Sequence, residues 1–290
     1  MTPNETRAAL EQLALQPSRA LGQNFLVDRN IAYLIVAAAG LRADDTVLEI
    51  GPGLGALTGL LLEHAGRVVA VEKDGRLFEF LRERFGRRQK LQLVHADALE
   101  FDFAPLAPFK VVANLPYAVA TPLLQRLVDS PARPPRMVLT VQREVADRLT
   151  ARPRTKDYGA LTLFTQLYYE ARREHIITPR CFIPPPAVES AVVSLRFAPH
   201  PLLEPAFEAP FKELVRAGFG QRRKMLRGVL PKTVSSVKVT PETLEAALKQ
   251  LGLPPTARGE ELGLTQWLLL TRALVASTPA KPKLVAAFTP

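Results

Sequence analysis

Thr46-Val47-Leu48-Glu49-Ile50-Gly51-Pro52-Gly53-Leu54-Gly55 decides the fold. A short β-forming, mostly apolar run ends in a loop with glycine at every second position, and helical apolar spacing follows over 57–65. That is strand, glycine loop, helix. The unit recurs outward along the chain. Residues 67–71 read as a second strand with a helix over 76–85, 91–95 as a third, and 110–113 as a fourth. A fifth, 137–141, precedes a helix around 144–151, and a late strand over 191–197 has 171–177 as its candidate partner. Strands alternating with helices need crossovers, which cover both faces of a mostly parallel sheet. The expectation is a doubly wound α/β domain.

After about residue 199 the strand signals stop. Helical spacing over 207–217, 241–251 and 265–275 is broken by glycine and proline, and Pro241 after Thr240 is a helix-start signal. The expected layout is an α/β domain over 1–199, a small all-helical domain over 200–276 and a loose, Pro-, Ala- and Lys-rich tail over 277–290.

With 290 residues, 47% of them apolar, the chain can bury a sizeable core. Its longest apolar run, 31–41, falls short of the ~20 residues that a spanning helix needs. The first residues lack a secretion-signal layout. Cys181 is the single cysteine, and His64, His95, His175 and His200 show no ligand spacing. The expectation is a cytoplasmic protein without membrane contact, disulfide or metal. The net charge of +10 is unevenly spread, with +6 carried by the last 91 residues. A positive field concentrated in one part suits a polyanion, although a charge excess for solubility reads the same way.

The glycine loop is G-x-G-x-G, not the G-x-G-x-x-G of dinucleotide enzymes. Gly51 and Gly53 let the backbone turn tightly and approach a ligand. Glu72 lies 21 residues beyond Gly51, at the carboxyl end of the second strand, where it can accept both hydroxyls of an unphosphorylated ribose. Asp97, after the third strand with Ala98 beside it, is placed to accept from an adenine amine. The set spells an adenosyl site without a diphosphate. Taken singly, Glu72 or Asp97 has a lesser alternative reading as a helix N-cap.

Asn114-Leu115-Pro116-Tyr117 follows the fourth strand and matches the [DNS]-[LP]-P-[YF] pattern of methyltransferases acting on nucleobase amines. The adenine N6 lone pair is delocalised into the ring, so the amine is flat and weakly nucleophilic. Acceptors at Asn114 and the Leu115 carbonyl can bind its two hydrogens and favour a pyramidal nitrogen. Pro116 holds Leu115 extended. Tyr117 offers a flat face to an extruded base. The plainer reading is a strand-ending turn with a core tyrosine.

With these residues in place, the chain resembles, over nearly its whole length, the ribosomal RNA adenine N6-dimethyltransferases that act on the small-subunit RNA. The resemblance implies a Rossmann-like S-adenosylmethionine-dependent methyltransferase domain, S-adenosylhomocysteine as product and no metal. Leu21-Gly22-Gln23-Asn24-Phe25-Leu26 resembles the family's amino-terminal motif and implies that Gln23, Asn24 and Leu26 contact the methionine end of the cofactor. Gly51, Glu72, Asp97 and Asn114 fall on the family's cofactor positions. Phe182-Ile183-Pro184-Pro185-Pro186 with Ser190-Ala191-Val192 is similar to a segment whose phenylalanine stacks on the target base opposite the tyrosine. Phe219-Gly220-Gln221-Arg222-Arg223-Lys224-Met225-Leu226 resembles the family's basic helix, which implies RNA contacts from Arg222, Arg223, Lys224 and the nearby Arg227; from spacing alone these are equally a solvated helix face. Arg19, Ala187 and Glu189 depart from the usual Lys, Lys and Asp, with no cofactor or stacking position altered.

The implied activity is dimethylation of two adjacent adenosines near the 3′ end of small-subunit RNA, by a monomer acting on an assembling ribosomal particle during ribosome biogenesis. The alternatives are a large-subunit enzyme of the macrolide-resistance type, which shares the loop and tetrapeptide, and an assembly factor without catalysis, against which Glu72 and Asn114 both speak. A DNA adenine methyltransferase is disfavoured by Asn at 114 and by the lack of a target-recognition insertion.

Overall fold

The computed structural model describes residues 1–17 and 22–277. Arg19 and Leu21, and the expected tail beyond Ser277, lie outside the described residues. The chain divides into two units, Met1–Thr150 with Tyr168–Pro199, and Ala151–Leu167 with the chain from His200 onward.

The first unit contains α1 (Pro3–Gln12), β1 (Phe25–Leu26), α2 (Arg29–Ala39), β2 (Thr46–Ile50), α3 (Thr58–His64), β3 (Arg67–Glu72), α4 (Gly75–Phe85), β4 (Leu91–His95), β5 (Lys110–Asn114), α5 (Ala120–Asp129), β6 (Arg136–Gln142), α6 (Arg143–Leu149), β7 (Tyr169–Ile177), β8 (Phe182–Ile183) and β9 (Ser190–Phe197). Seven strands form one sheet in the order β4-β3-β2-β5-β6-β9-β7, while β1 and β8 pair separately. The first five are parallel, and β9 and β7 add antiparallel, with Ala171 opposite Leu195. Val47 and Leu48, Val68 to Ala70, and Val111 to Ala113 are fully buried, as expected of parallel strands covered on both faces.

Local chemistry sets the helix ends. Asp28 opens α2 by accepting from the amides of Asn30 and Ile31, and Asp74 opens α4 by accepting from those of Arg76 and Leu77. The apolar run at 31–41 becomes α2, burying Ile31, Ala32, Ile35, Val36 and Ala39. No helix among the described residues is long and apolar enough to cross a membrane.

The second unit holds α7 (Ala160–Gln166), α8 (Pro205–Gly220), α9 (Leu226–Thr233), α10 (Pro241–Gln250) and α11 (Leu264–Ala276). Thr240 and Pro241 start α10 as the sequence signal reads. Trp267, Phe211, Leu214 and Leu270 are fully buried at its centre, and the Trp267 indole donates to the Gly259 carbonyl at 3.2 Å. Two expectations are corrected here. Residues 151–167 belong with the helices and not with the sheet. The basic segment after Phe219 is not a helix, because α8 ends at Gly220 and α9 starts at Leu226, leaving Arg222, Arg223 and Lys224 on the turn between.

Candidate active site

In the parallel part of the sheet, β3 and β4 lie on one side of β2 and β5 on the other. Ligands of open α/β sheets bind outside the carboxyl ends of the strands where the order reverses. A cavity of about 660 Å³ lies there, walled by the segments after β2, β3, β4 and β5 and by residues 22–26. Gln23, Asn24, Leu26, Gly51, Gly53, Glu72, Asp97, Ala98, Asn114, Leu115 and Tyr117 all line it.

The loop after β2 turns through left-handed backbone, with φ of +64° at Gly51 and +60° at Gly53. The Cβ that Gly51 lacks would meet the Pro116 ring at 3.4 Å, so the two loops of the switch point pack on each other. Gly22 sits closer still. With φ +64°, it would place a Cβ 2.9 Å from the Tyr117 amide nitrogen. The role of Gly22 is invisible in the sequence, since its neighbour is 95 positions away.

Glu72 is buried at the end of β3, and not as an N-cap, since Asp74 caps α4. One of its oxygens accepts from the amides of Lys73 and Asp74, both at 2.9 Å, and the other from Gly53 at 3.1 Å. Burial pushes this carboxyl above its ordinary range, and the three amides pull it back. A carboxylate offers about four lone-pair sites, so Oε2 keeps one for a donor in the cavity.

Asp97 accepts from the Leu99 amide at 2.8 Å and pairs with the Lys73 ammonium at 2.7 Å, which holds its carboxyl below the usual range. Arg126 of α5, which the sequence reading misses, donates to the carbonyls of Ala98 at 2.7 Å and Phe101 at 3.1 Å, holding the turn after β4. Glu49 is also missed. It lines the cavity at 1% exposure, accepts from the Thr58 hydroxyl at 2.8 Å, and burial raises its pKa to about 8.

At the tetrapeptide, the Asn114 side-chain amide donates to the Asn24 carbonyl at 3.1 Å. Its Oδ1 is buried and has no hydrogen-bond partner. The Leu115 amide donates to the Thr140 carbonyl at 3.2 Å, which anchors the peptide after Asn114. The Tyr117 hydroxyl is hydrogen-bonded to Ser190, and burial raises its pKa, so it stays a phenol. Phe182 is not brought to the cavity. It pairs with Leu26 across β8 and β1 and is 2% exposed within a cluster that includes Ile35 and Val192, so it has no free face for a base.

Of the basic residues, Arg223, Lys224 and Arg227 are exposed. Arg222 is spent inside the second unit, on Glu260 at 2.5 Å and on the carbonyls of Thr155 and Lys156.

A family model described as ribosomal RNA adenine dimethylase matches residues 15–265. The chain belongs to this family. Its similarity to a ribosomal RNA small subunit methyltransferase A of Geobacter metallireducens is 41% identity over 90% of this chain and 97% of that one. A Magnetococcus marinus relative of the same name is 44% identical over 93% of this chain and 94% of its own. Among solved structures, the 23S rRNA methyltransferase ErmE shares 32% identity at TM-score 0.70, covering 87% of this chain and 99% of its own. A dimethyladenosine transferase of Plasmodium falciparum shares 26% at TM-score 0.74, covering 85% and 95%.

Proposed function

We propose that this dimethylase-family chain transfers methyl groups from S-adenosylmethionine to N6 of adenosines in small-subunit ribosomal RNA, two methyls on each of two adjacent adenosines near the 3′ end. The observation that carries the reading is Asn114 Oδ1, a buried acceptor with no partner on a residue that lines the strand-end cavity. A buried polar atom left unpaired is costly, so its persistence marks a place where a donor comes and goes. The small-subunit reading is supported by identities of 38–44% to relatives named for that RNA, against 32% to the large-subunit ErmE.

The cavity fits the cofactor by the chemistry of its donors and acceptors. All the residues concerned line the cavity, and in this reading Glu72 would accept from the ribose, Asp97 and Ala98 would stand on the adenine side, and Gln23, Asn24 and Leu26 would face the methionine end. S-adenosylmethionine, when bound, supplies an electrophilic methyl on a sulfonium. The chain's own residues then do two things. Tyr117 presents its ring to the extruded base, with its hydroxyl tied back to Ser190. Asn114 Oδ1 and the Leu115 carbonyl accept the two N6 hydrogens, which localises the lone pair on nitrogen. Neither is a base, so they orient the amine and leave the proton to solvent after transfer. Positioning and electrostatics carry the rate.

The exposed cations of the second unit are proposed to bind the RNA, within an assembling small-subunit particle, with the chain as a monomer. The test is mass-spectrometric mapping of methylated adenosines in ribosomal RNA from cells with and without the protein. Two dimethylated neighbours in the small-subunit RNA, lost without the protein, are expected. A mark lost from the large-subunit RNA instead would favour the ErmE-like reading.

A further inference from the structure

The partition of the chain changes where its charge lies. The second unit carries sixteen Lys and Arg against eight Asp and Glu over 108 residues. The first carries twenty-two against twenty over 182. Almost the whole positive excess therefore belongs to the helical unit, and the segment 151–167 raises its share. Three of its cations sit on one loop, Arg152, Arg154 and Lys156 at alternate positions. Every residue from 152 to 156 is exposed.

This loop is built, not slack. Arg222 reaches it from the turn between α8 and α9, donating Nη2 to the Thr155 carbonyl at 2.7 Å and Nη1 to the Lys156 carbonyl. Its Nε pairs with Glu260, and the carbonyl of the same Glu260 accepts from the Arg154 amide at 2.8 Å. Arg154 has φ +68°, a left-handed conformation that a non-glycine residue holds only when its surroundings impose it. The loop's far end is pinned by Tyr158, whose hydroxyl donates to the Leu262 carbonyl at 2.8 Å and whose ring meets Phe219 edge-on. Among the described residues none of Arg152, Arg154, Lys156, Arg223, Lys224 and Arg227 has an ion-pair partner.

We propose that residues 152–156 form a phosphate-binding arm of the RNA interface, and that Arg222 is not itself a phosphate contact but the bracket that locks this arm beside Arg223, Lys224 and Arg227. The proposal rests on the RNA reading above. It assigns RNA and not an acidic protein because the arm carries no apolar anchor, and protein interfaces are built around one. A rigid, unpaired row of cations is what backbone phosphates recognise without reading sequence.

The test uses the full chain and small-subunit ribosomal RNA transcribed in vitro, with binding measured across a salt titration. Arg152→Gln, Arg154→Gln and Lys156→Gln combined should lower affinity at least ~10-fold and flatten the salt slope by roughly two, while cofactor affinity and melting temperature hold. Arg222→Lys keeps the charge but loses the guanidinium fork. If Arg222 is a bracket, it should weaken RNA binding as much as Arg222→Gln, with melting temperature measured alongside. Should the parent bind RNA without salt dependence, the RNA reading itself falls. Should the parent show the slope and the triple variant keep it, the arm is wrong and the RNA reading stands. Polyglutamate competing as well as RNA at equal charge would overturn the assignment to RNA, and Arg222→Lys binding like the parent would overturn the bracket.

Discussion

The Asn114 amide nitrogen donates to the carbonyl of Asn24 at 3.1 Å, 90 residues earlier in the chain. This bond assigns the amide's two ends. With the NH₂ group held by a carbonyl, Oδ1 must face the other way, and it is the atom left buried without a partner. Residues 22–26 therefore aim the acceptor that the tetrapeptide presents.

Removing that acceptor should appear in turnover and not in binding. Asn114→Ala is expected to slow single-turnover methyl transfer to small-subunit particles by ~10²–10³-fold with RNA affinity kept. Asn114→Asp keeps acceptors but loses the donor to Asn24, so it should also be slow and should recover as pH falls and its carboxyl regains a proton. Near-parental transfer by Asn114→Ala would sink the mechanism.

Gly22 limits how the 114–117 loop can sit. Gly22→Ala combines a φ of +64° with a Cβ 2.9 Å from the Tyr117 nitrogen, so the loop must shift. Small displacements of positioning groups can cost ~10²-fold. A fall in kcat of ten-fold or more, with cofactor affinity changed less, is the expected result; an unchanged kcat would show that residues 22–26 do not constrain the loop.

Phe182 and Tyr117 should separate cleanly. Phe182→Ala is a core truncation, costing ~3–5 kcal/mol and lowering Tm by roughly 10 °C. Tyr117→Ala should leave Tm much nearer the parent and weaken capture of the target base by ~1–3 kcal/mol. Calorimetry and binding to adenine-containing RNA measure both. An unshifted Tm for Phe182→Ala would return that ring to the base-binding role the family resemblance implies.

For the cofactor, Glu72→Ala is expected to weaken binding ten-fold or more, since a charge-assisted contact is worth ~1.5–3 kcal/mol and three loop amides also lose their acceptor. Titration calorimetry with S-adenosylhomocysteine showing parental affinity would reject the assignment.

Glu49 gives a pH prediction. Burial raises its pKa to about 8 from an unfolded value of 4.5, so the folded state holds a proton that the unfolded state has released. Its contribution to stability is therefore complete below about pH 4.5 and declines as pH rises to 8, by up to ~1.4 kcal/mol per pH unit. Glu49→Gln keeps an acceptor for Thr58 and cannot ionise. Its Tm should fall less than the parent's between pH 5 and 8, and identical pH profiles would show that Glu49 ionises freely.

The local periodicities of the sequence determined the strand–loop–helix order, the parallel half of the sheet and the strand-end positions of Gly51, Glu72, Asp97 and Asn114. Fully buried parallel strands must be written as apolar runs, and the residue after each run must sit at the carboxyl edge. The pairing of 171–177 with 191–197 was legible only as a candidate, since it is antiparallel and most of 171–177 is not buried. Helices α1, α2, α5, α7 and α9 were not legible: proline interrupts the apolar spacing of α9 at Pro231, and an apolar run such as the one in α2 does not by itself separate helix from buried strand. What only the tertiary structure decided is which distant groups meet. Asn24 on Asn114, Gly22 under Tyr117, Phe182 in the core and Arg222 on the 155–156 carbonyls all join positions at least 66 residues apart, or a cluster of them. Spacing along a chain reports burial and solvent exposure, whereas a hydrogen-bond partner is set by where the chain turns back. That is why the sequence reads Arg222 as a free surface cation and the structure makes it a half-buried strut.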